Sequence, residues 1–364
     1  MNIKGCVFIW RDFRLFGYEI FSRSTPIYTD KAKMKSKNAI GMVFKKKNAI
    51  GIILLLLTAF IWGSSFVAQS DAMDHIGPFT MNGLRSLLAA IALFIALAII
   101  QSAKSKKFAL IYPIAPENRK KTITAGLLCG LLITAATTIQ QFGIERTTVG
   151  RSGFITALYI IIVPLMGLML GKRPKWNLWV AVCVALVGFA FICLIGSNFQ
   201  LSVGDLLVLI SAVFFAAHIL AVEKFASDIN GVLLSFMQFS VCAVVDITLA
   251  LIFESPNFGD IFAAWWPIVY AGVFSGGIAY TFQILGQKNV PATAAVLIMS
   301  LEAVFAAVSA RILKGEVMTT YEFIGSTLVF AGVVLAQLDF SKFKKSKIQN
   351  EPLGADDGGE SEKR

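Results

Sequence analysis

The sequence predicts an all-α membrane protein of ten transmembrane helices, built as two inverted five-helix repeats. Three observations lead there. Apolar stretches of about twenty residues recur along the chain, each long enough to cross a bilayer core as a helix. The charged residues are bunched between these stretches. The second half of the chain also restates the first at a nearly constant offset.

The stretches are 49–69, 79–100, 122–142, 152–170, 177–196, 203–222, 231–253, 263–285, 293–313 and 321–338. Each must be helical, because lipid offers no partner to a free backbone N–H or C=O. With 56% hydrophobic and 15% charged residues and a mean hydropathy of +0.72, there is too little charge to clothe a soluble domain of 364 residues. The net charge of +11 does not indicate nucleic acid, since the basic residues sit in short clusters between the apolar stretches. In membrane proteins such clusters set orientation. With the first basic cluster, Lys45–Lys47, in the cytoplasm, eighteen near-membrane Lys and Arg fall inside and four outside, namely Arg146, Arg151, Arg311 and Lys314. Both termini are therefore expected in the cytoplasm, in a multi-pass protein of the cell (inner) membrane.

The repeat is read from order as well as identity. At an offset of 143, Gln140 falls on Gln283, Gly143 on Gly286, Leu158 on Leu301 and Leu170 on Leu313. The opening spans match at an offset of 153, where TAFIWGSSFV meets SAVFFAAHIL; the basic loop 101–121 absorbs the difference. Five spans per half make the second half enter from the opposite side. Such inverted repeats are an architecture of secondary transporters, with the substrate site between the halves near the midplane. The expected organisation is a cytoplasmic segment 1–47, a first repeat 48–197, a second repeat 203–339 and a charged, disordered tail 340–364. Residues 1–41 are too charged to span and lack a cleavage-site pattern. An interfacial amphipathic helix is one reading of them; a true start at Met34 or Met42 is the simpler one.

Several motifs resemble a known family. AFIWGSSFVAQSDAMDHIGPFTMNGLRSLLAAIAL is similar to the opening of the drug/metabolite transporter superfamily, EamA-like branch, marked by Trp62-Gly63-Ser64-Ser65 and Arg85. TTVGRSGFITALYIIIVPLMGLMLGKRP resembles the end region of its first repeat, and LEAVFAAVSARILKGE with GSTLVFAGVVLAQ that of its second. The resemblance covers about residues 48–340. It implies a ten-helix transporter that does not hydrolyse ATP, with helices 5 and 10 peripheral and the others around a central cavity. The family often has Pro after the Glu of helix 9. Here Ala303 follows Glu302, which puts a local kink in doubt.

The intramembrane polar residues are the candidate site. Glu302 lies ~13 Å deep in span 9 at 1.5 Å per residue, where an ionised carboxylate costs at least ~2.5 kcal/mol. It either exchanges a proton during transport or holds the halves together by a helix–helix hydrogen bond. His218 is one of two histidines and suits proton coupling by its near-neutral titration; a satisfied polar contact is its plainer role. Arg85 either grips a solute carboxylate or pairs with an acid. Trp62, Ser64 and Ser65 form a small-polar-aromatic patch. Gln140, Gln141, Tyr159, Tyr280 and Gln283 are expected cavity walls, and Asp246 is expected to face water in the outer vestibule. Pro164 should kink span 4. Gly126/Gly130, Gly167/Gly171 and Gly272/Gly276 signal close helix packing. Four of the five cysteines, Cys129, Cys183, Cys193 and Cys242 but not Cys6, lie in apolar spans without metal-ligand spacing.

The partners this predicts are a small-molecule solute and the lipid bilayer, with no nucleic acid, metal or cofactor. The function expected is outward secondary transport of an amino acid, metabolite or drug, coupled to protons. The alternatives are proton-independent facilitation and, from a different class, a membrane-embedded enzyme. Against the enzyme, the chain has no clustered His/Asp metal set, no HExxH and no nucleophile elbow; the lack of a Walker motif argues against ATP-driven pumping.

Overall fold

The computed structural model describes residues 37–105, 116–171, 176–193, 202–290 and 292–337. The N-terminal segment 1–36, much of the basic loop 101–121 and the tail from 338 lie outside the described residues, and with them the readings made of those segments. Every regular element among the described residues is helical. In chain order these are α1 (Lys37–Ala72), α2 (Pro78–Ser105), α3 (Pro116–Ile144), α4 (Val149–Thr156), α5 (Tyr159–Met169), α6 (Trp176–Cys193), α7 (Val203–Phe225), α8 (Gly231–Phe253), α9 (Phe258–Ala263) and α10 (Trp265–Val269). A π-helix, Tyr270–Ala279, then leads into α11 (Tyr280–Gln287), α12 (Ala292–Met299), α13 (Glu302–Leu313) and α14 (Thr320–Gln337).

Eight stretches among the described residues are long and apolar enough to cross a membrane. They run Ala49–Ala72, Pro78–Ala103, Asn118–Ile144, Val149–Met169, Val203–Phe225, Gly231–Phe253, Trp265–Gln287 and Ala295–Leu313. The chain is therefore a multi-pass membrane protein. The fifth and tenth expected spans coincide with α6 and α14, of 18 residues each. These two pack chiefly on one another, at a crossing where a Cβ on Gly332 would lie 2.9 Å from the Ala181 carbonyl oxygen.

Local chemistry sets the helix ends. Pro78 and Pro116 occupy first helical positions, where a missing N–H costs nothing. Ser202 and Asp205 form a reciprocal capping box on α7, and the Asn230 side chain accepts from the N–H groups of Val232 and Leu233 on α8. Gly171 (φ 81°) and Gly315 (φ 67°) follow α5 and α13 closely in the left-handed region that glycine tolerates. Gly171 has nothing within 4 Å of where a Cβ would stand, so it serves as a helix stop and not as the packing residue expected of it. The other glycine pairs do pack: Gly126 and Gly130 meet Met237 and Val241, while Gly272 and Gly276 meet Arg85, Leu88 and Ala89.

Spans 4 and 9 are each broken in the middle. The first break is at Ala157–Leu158, between α4 and α5; the second is at Ser300–Leu301, between α12 and α13. At both, tight three-residue bonds replace part of the α ladder (Leu158 N–H to Ile155 O, Leu301 N–H to Ile298 O). The breaks coincide at the offset of 143 that aligns the halves. Pro164 lies inside α5, more than a turn beyond the first break. The second break, beside Ala303, forms without a proline. Proline is thus not the shared cause, and the doubt raised by Ala303 is resolved in favour of a broken helix.

Packing between the halves is reciprocal. Span 3 packs on span 6 and span 8 on span 1; span 1 packs on span 9 and span 6 on span 4; spans 2 and 7 pack on each other. Each contact becomes another observed contact when the two halves are exchanged.

Candidate functional site

The two broken helices meet a central cavity. It is lined by Trp62, Phe66 and Gln69 from α1, Arg85 from α2, Gln140 from α3, and Thr156 and Tyr159 from the two sides of the first break. The other half contributes Phe215, His218 and Ile219 from α7, Ser275 from the π-helix, Tyr280 and Gln283 from α11, and Glu302 at the head of α13. Trp62, Phe66 and Gln69 follow the i, i+4, i+7 spacing that puts side chains on one helix face. Tyr159 and Glu302 are the first residues of α5 and α13 and fall on one another at the repeat offset. The cavity volume is about 30 Å³, room for about two water molecules. A solute the size of an amino acid therefore requires the surrounding helices to part.

Polar capacity is concentrated here. Trp62 Nε1, His218 Nδ1 and both amide atoms of Gln283 are buried and meet no hydrogen-bond partner, while the Tyr159 hydroxyl faces the Glu302 carboxyl across the two breaks. A buried polar group left unsatisfied costs about 1–3 kcal/mol. A ligand that supplied matching donors and acceptors would recover part of that cost. The aromatic wall is contiguous: the Trp62 and Tyr280 ring centroids lie 4.6 Å apart, and Phe239 packs edge-on to Tyr280 at 5.1 Å.

The remaining polar atoms are held in short chains. Gln140 donates to Thr156 Oγ1 at 2.9 Å, whereas its repeat counterpart Gln283 is unpaired. His218 Nε2 contacts Gln238 Oε1 at 3.0 Å. Arg85 donates from Nη1 to Gln69 Oε1 at 2.6 Å and from Nε to Asn82 Oδ1 at 2.7 Å. Among the described residues no carboxylate forms an ion pair with it directly. Asp246 instead stands one residue removed, accepting from Asn82 Nδ2 at 2.6 Å and from the Thr138 hydroxyl at 2.7 Å. Asp246 is fully buried, which corrects the expectation that it faces water. The reason is that α8 packs along α2 and α3 at this level, and Asn82 and Thr138 supply the polar contacts that water would have made.

Of the residues singled out from the sequence, Trp62, Arg85, Gln140, Tyr159, His218, Tyr280, Gln283 and Glu302 line this one cavity. Ser64 and Ser65 do not. Ser64 contacts the Tyr270 hydroxyl at 2.6 Å, on the side of α1 that meets the π-helix, and Ser65 is buried against Gln69. Gln141 bonds the Gln69 carbonyl and also stays outside the lining. Sequence reasoning missed Phe66, Gln69, Thr156, Phe215, Ile219 and Ser275. Gln69 was within reach, being seven residues from Trp62 on the same helical face. Cys129 and Cys242 are buried packing residues and Cys183 is exposed on α6. Among the described residues no cluster of His, Cys, Asp or Glu could hold a metal ion.

Polar ties cross between the halves at one end of the bundle. Lys314 pairs with Asp71 at 2.9 Å and Arg151 with Asp205 at 2.8 Å. The Glu316 carboxylate accepts from the Val149 and Gly150 N–H groups that open α4, and Glu254 accepts from the Phe79 and Thr80 N–H groups that open α2. At the opposite end Lys121 pairs with Asp228, and that lysine's hydrogen bond holds the Asp228 carboxyl below its usual range.

Comparison with known proteins matches the EamA-like transporter family twice, over residues 49–194 and again over 202–338. An uncharacterized transporter of Archaeoglobus fulgidus is 25% identical over 286 residues, covering 78% of this chain and 84% of that protein. An S-adenosylmethionine/S-adenosylhomocysteine transporter of Chlamydia trachomatis is 42% identical, but over 52 residues, 14% of this chain and 16% of that protein. A solved crystal structure with 18% identity superposes with a TM-score of 0.57, covering 80% of this chain and 98% of that one, a likeness of fold.

Proposed function

We infer the function from a premise the two matches supply: the chain belongs to the EamA-like transporter family. It is a membrane transporter, and we propose that it carries a small organic solute by alternating access, without ATP. The observation that carries this reading is the central cavity at two helix breaks, headed by Tyr159 in one half and Glu302 in the other. Discontinuous helices at the boundary of two repeats are where secondary transporters build their sites. On this reading the chain forms ten membrane helices in two inverted repeats, 48–197 and 203–339, with α6 and α14 as the peripheral pair and both termini in the cytoplasm. The reciprocal packing of the halves and the distribution of Lys and Arg support it.

The roles follow from the chemistry. Arg85 anchors an acidic group of the solute through Nη2, the guanidinium nitrogen not committed to Gln69 and Asn82. Trp62 and Tyr280 cover its apolar body, and Gln283, His218 and Gln140 select its polar groups. Glu302 carries the coupling proton or meets a cationic group of the solute; a carboxylate at the first position of a half-helix is favoured by that helix's dipole. Arg85 and Glu302 facing one cavity suit a zwitterion. The short match to an S-adenosylmethionine/S-adenosylhomocysteine transporter is compatible with this, since both of those solutes carry an amino-acid head. Export is the direction proposed, to the outside of the cell membrane.

The test is solute flux in proteoliposomes under an imposed pH gradient, with S-adenosylhomocysteine and a mixture of L-amino acids as probes. Gradient-driven flux abolished in Glu302→Gln but kept in His218→Gln assigns the coupling proton to Glu302. Equal flux with and without the gradient replaces coupling by facilitation. No flux of any probe above empty liposomes counts against the solute class.

A further inference from the structure

Asp246 has no place in the scheme above, yet it is fully buried and joined to the cavity's one arginine by a single side chain. We propose that Asp246 takes up a proton when an anionic group binds Arg85, so that the charge of the buried network stays balanced. The proposal rests on the reading of Arg85 as the anchor for the solute's acidic group.

Charge balance is the first argument. Arg85 and Asp246 form a neutral pair at one remove, with the Asn82 amide between them: its oxygen accepts from Arg85 and its nitrogen donates to Asp246. Because the amide intervenes, the guanidinium is not consumed by a carboxylate and keeps Nη2 for a ligand. An incoming carboxylate would be a second anion in a buried network holding one cation. Unpaired charge is expensive away from water. A proton moving from water onto Asp246 restores neutrality: arginine and solute carboxylate then balance, and Asp246 is uncharged. No other bond is made or broken.

The second argument is that the protonated form has a partner waiting. Thr138 now donates to Asp246 Oδ1. A hydroxyl rotates freely and can accept as well as donate. Once Asp246 carries a proton, it can donate to Thr138 Oγ1, while the Thr138 hydrogen turns to the carbonyl one turn back on α3. Thr134 and Thr137 already bond that way, to Gly130 O and Ile133 O.

Among the described residues Asp246 is the carboxylate linked to Arg85 through Asn82, whereas Glu302 lines the same cavity outside that link. From α2 Asp246 faces Asn82 and, through it, Arg85; from α3 it faces Thr138, which is not titratable. On its own helix, Cys242 one turn back contacts the Thr134 hydroxyl at 3.1 Å, and Glu254 is engaged at the start of α2. Tyr280 adjoins Arg85 across the cavity. Asp246 is thus a positioning residue, acting on the solute through Arg85.

The experiment measures binding of radiolabelled benzoate, a carboxylate with a ring suited to the Trp62–Tyr280 wall, to the purified transporter in nanodiscs. The range is about pH 6 to pH 8, where a carboxylic acid of ordinary strength stays ionised. Wild-type affinity should fall as pH rises, by up to tenfold per pH unit, the limit for one linked proton. The slope should persist in Glu302→Gln and vanish in Asp246→Asn, and Arg85→Gln should abolish binding. A flat wild-type profile, or a slope lost in Glu302→Gln and kept in Asp246→Asn, overturns the proposal while leaving the Arg85 anchor in place. Absent wild-type binding, or binding indifferent to Arg85→Gln, overturns the anchor and this proposal with it. If Asp246→Asn does not fold, a pH-indicator dye decides in the Glu302→Gln protein. Uptake approaching one proton per benzoate supports the assignment, and no uptake refutes it.

Discussion

Glu302 is held in place by a contact that has no slack, and substituting Gly63 tests it. A Cβ at Gly63 would stand 2.4 Å from the Phe305 Cβ, 2.6 Å from the Glu302 carbonyl oxygen and 2.9 Å from the Ala306 nitrogen. Two of these neighbours are backbone atoms and cannot rotate away, so Gly63→Ala must push α1 off α13. Overpacking of this kind costs about 1–3 kcal/mol. Helix propensity acts the other way, favouring alanine by up to about 1 kcal/mol. The net expectation is a loss of about 1–2 kcal/mol, read as a lower midpoint in thermal unfolding of detergent-solubilised protein. The control is Gly150→Ala, in the first turn of α4. The nearest atom to a Cβ there is 4.0 Å away, so only the propensity gain applies and stability should hold or rise. If Gly63→Ala proves as stable as Gly150→Ala, α1 and α13 do not meet as described, and the position of Glu302 in the cavity falls with that contact.

Three further outcomes are expected. Glu254→Gln exchanges a carboxylate that accepts two N–H groups and the Thr80 hydroxyl for a side chain with one acceptor oxygen; unfolding should show a loss of about 1–2 kcal/mol, and a smaller loss than Glu254→Ala. Asp228→Asn removes the partner of Lys121, an exposed pair worth less than about 1 kcal/mol. Because the folded-state pKa of Asp228 is depressed, its contribution is present above the unfolded-state value and lost as pH falls through the folded one, so wild type and variant should converge in acid. Gly315→Ala forces a residue with a Cβ into a left-handed φ of 67° and should cost about 1 kcal/mol, although no neighbouring atom is crowded.

The membrane class and most of the cavity wall were legible because a bilayer allows few solutions. A twenty-residue apolar run must be a helix, and a polar residue inside one must face the protein interior. That logic, with the family resemblance that marks Trp62 and Arg85, gathered Trp62, Arg85, Tyr159, His218 and Glu302. It erred where the answer depends on rotation about a helix axis. Ser64 was assigned to the cavity with Trp62, yet two positions along a helix turn by about 200°, and its contact with Tyr270 shows which way it faces; Ser65 shares the face of Trp62 and Gln69 but is buried against Gln69 and does not reach the wall. Asp246 was misread for a related reason. Its depth could be counted along the sequence, but its shield, Asn82 and Thr138, comes from two other helices. The break in span 9 was hidden by habit of composition: Ser300–Leu301 contains neither proline nor glycine. Only the coincidence with Ala157–Leu158 at the repeat offset could have disclosed it.

That coincidence also separates what the two halves share from what they do not. They share backbone: both carry a break at the same aligned position, a half-helix starting there, and a left-handed glycine shortly after it ends. They differ in every titratable position of the site. Tyr159 aligns with Glu302, Ser65 with His218 and Arg85 with Gln238. On the proposed inverted repeat this division has a physical sense. Alternation between two faces asks only that each half can adopt the other's conformation, which is a property of the backbone. Binding a solute with distinct ends asks for the opposite, a site whose two sides carry unlike charge. A chain symmetric in both respects would offer two like charges to one cavity, and the repulsion between buried like charges would oppose the closed state. Placing the arginine in one half and the glutamate in the other removes that conflict.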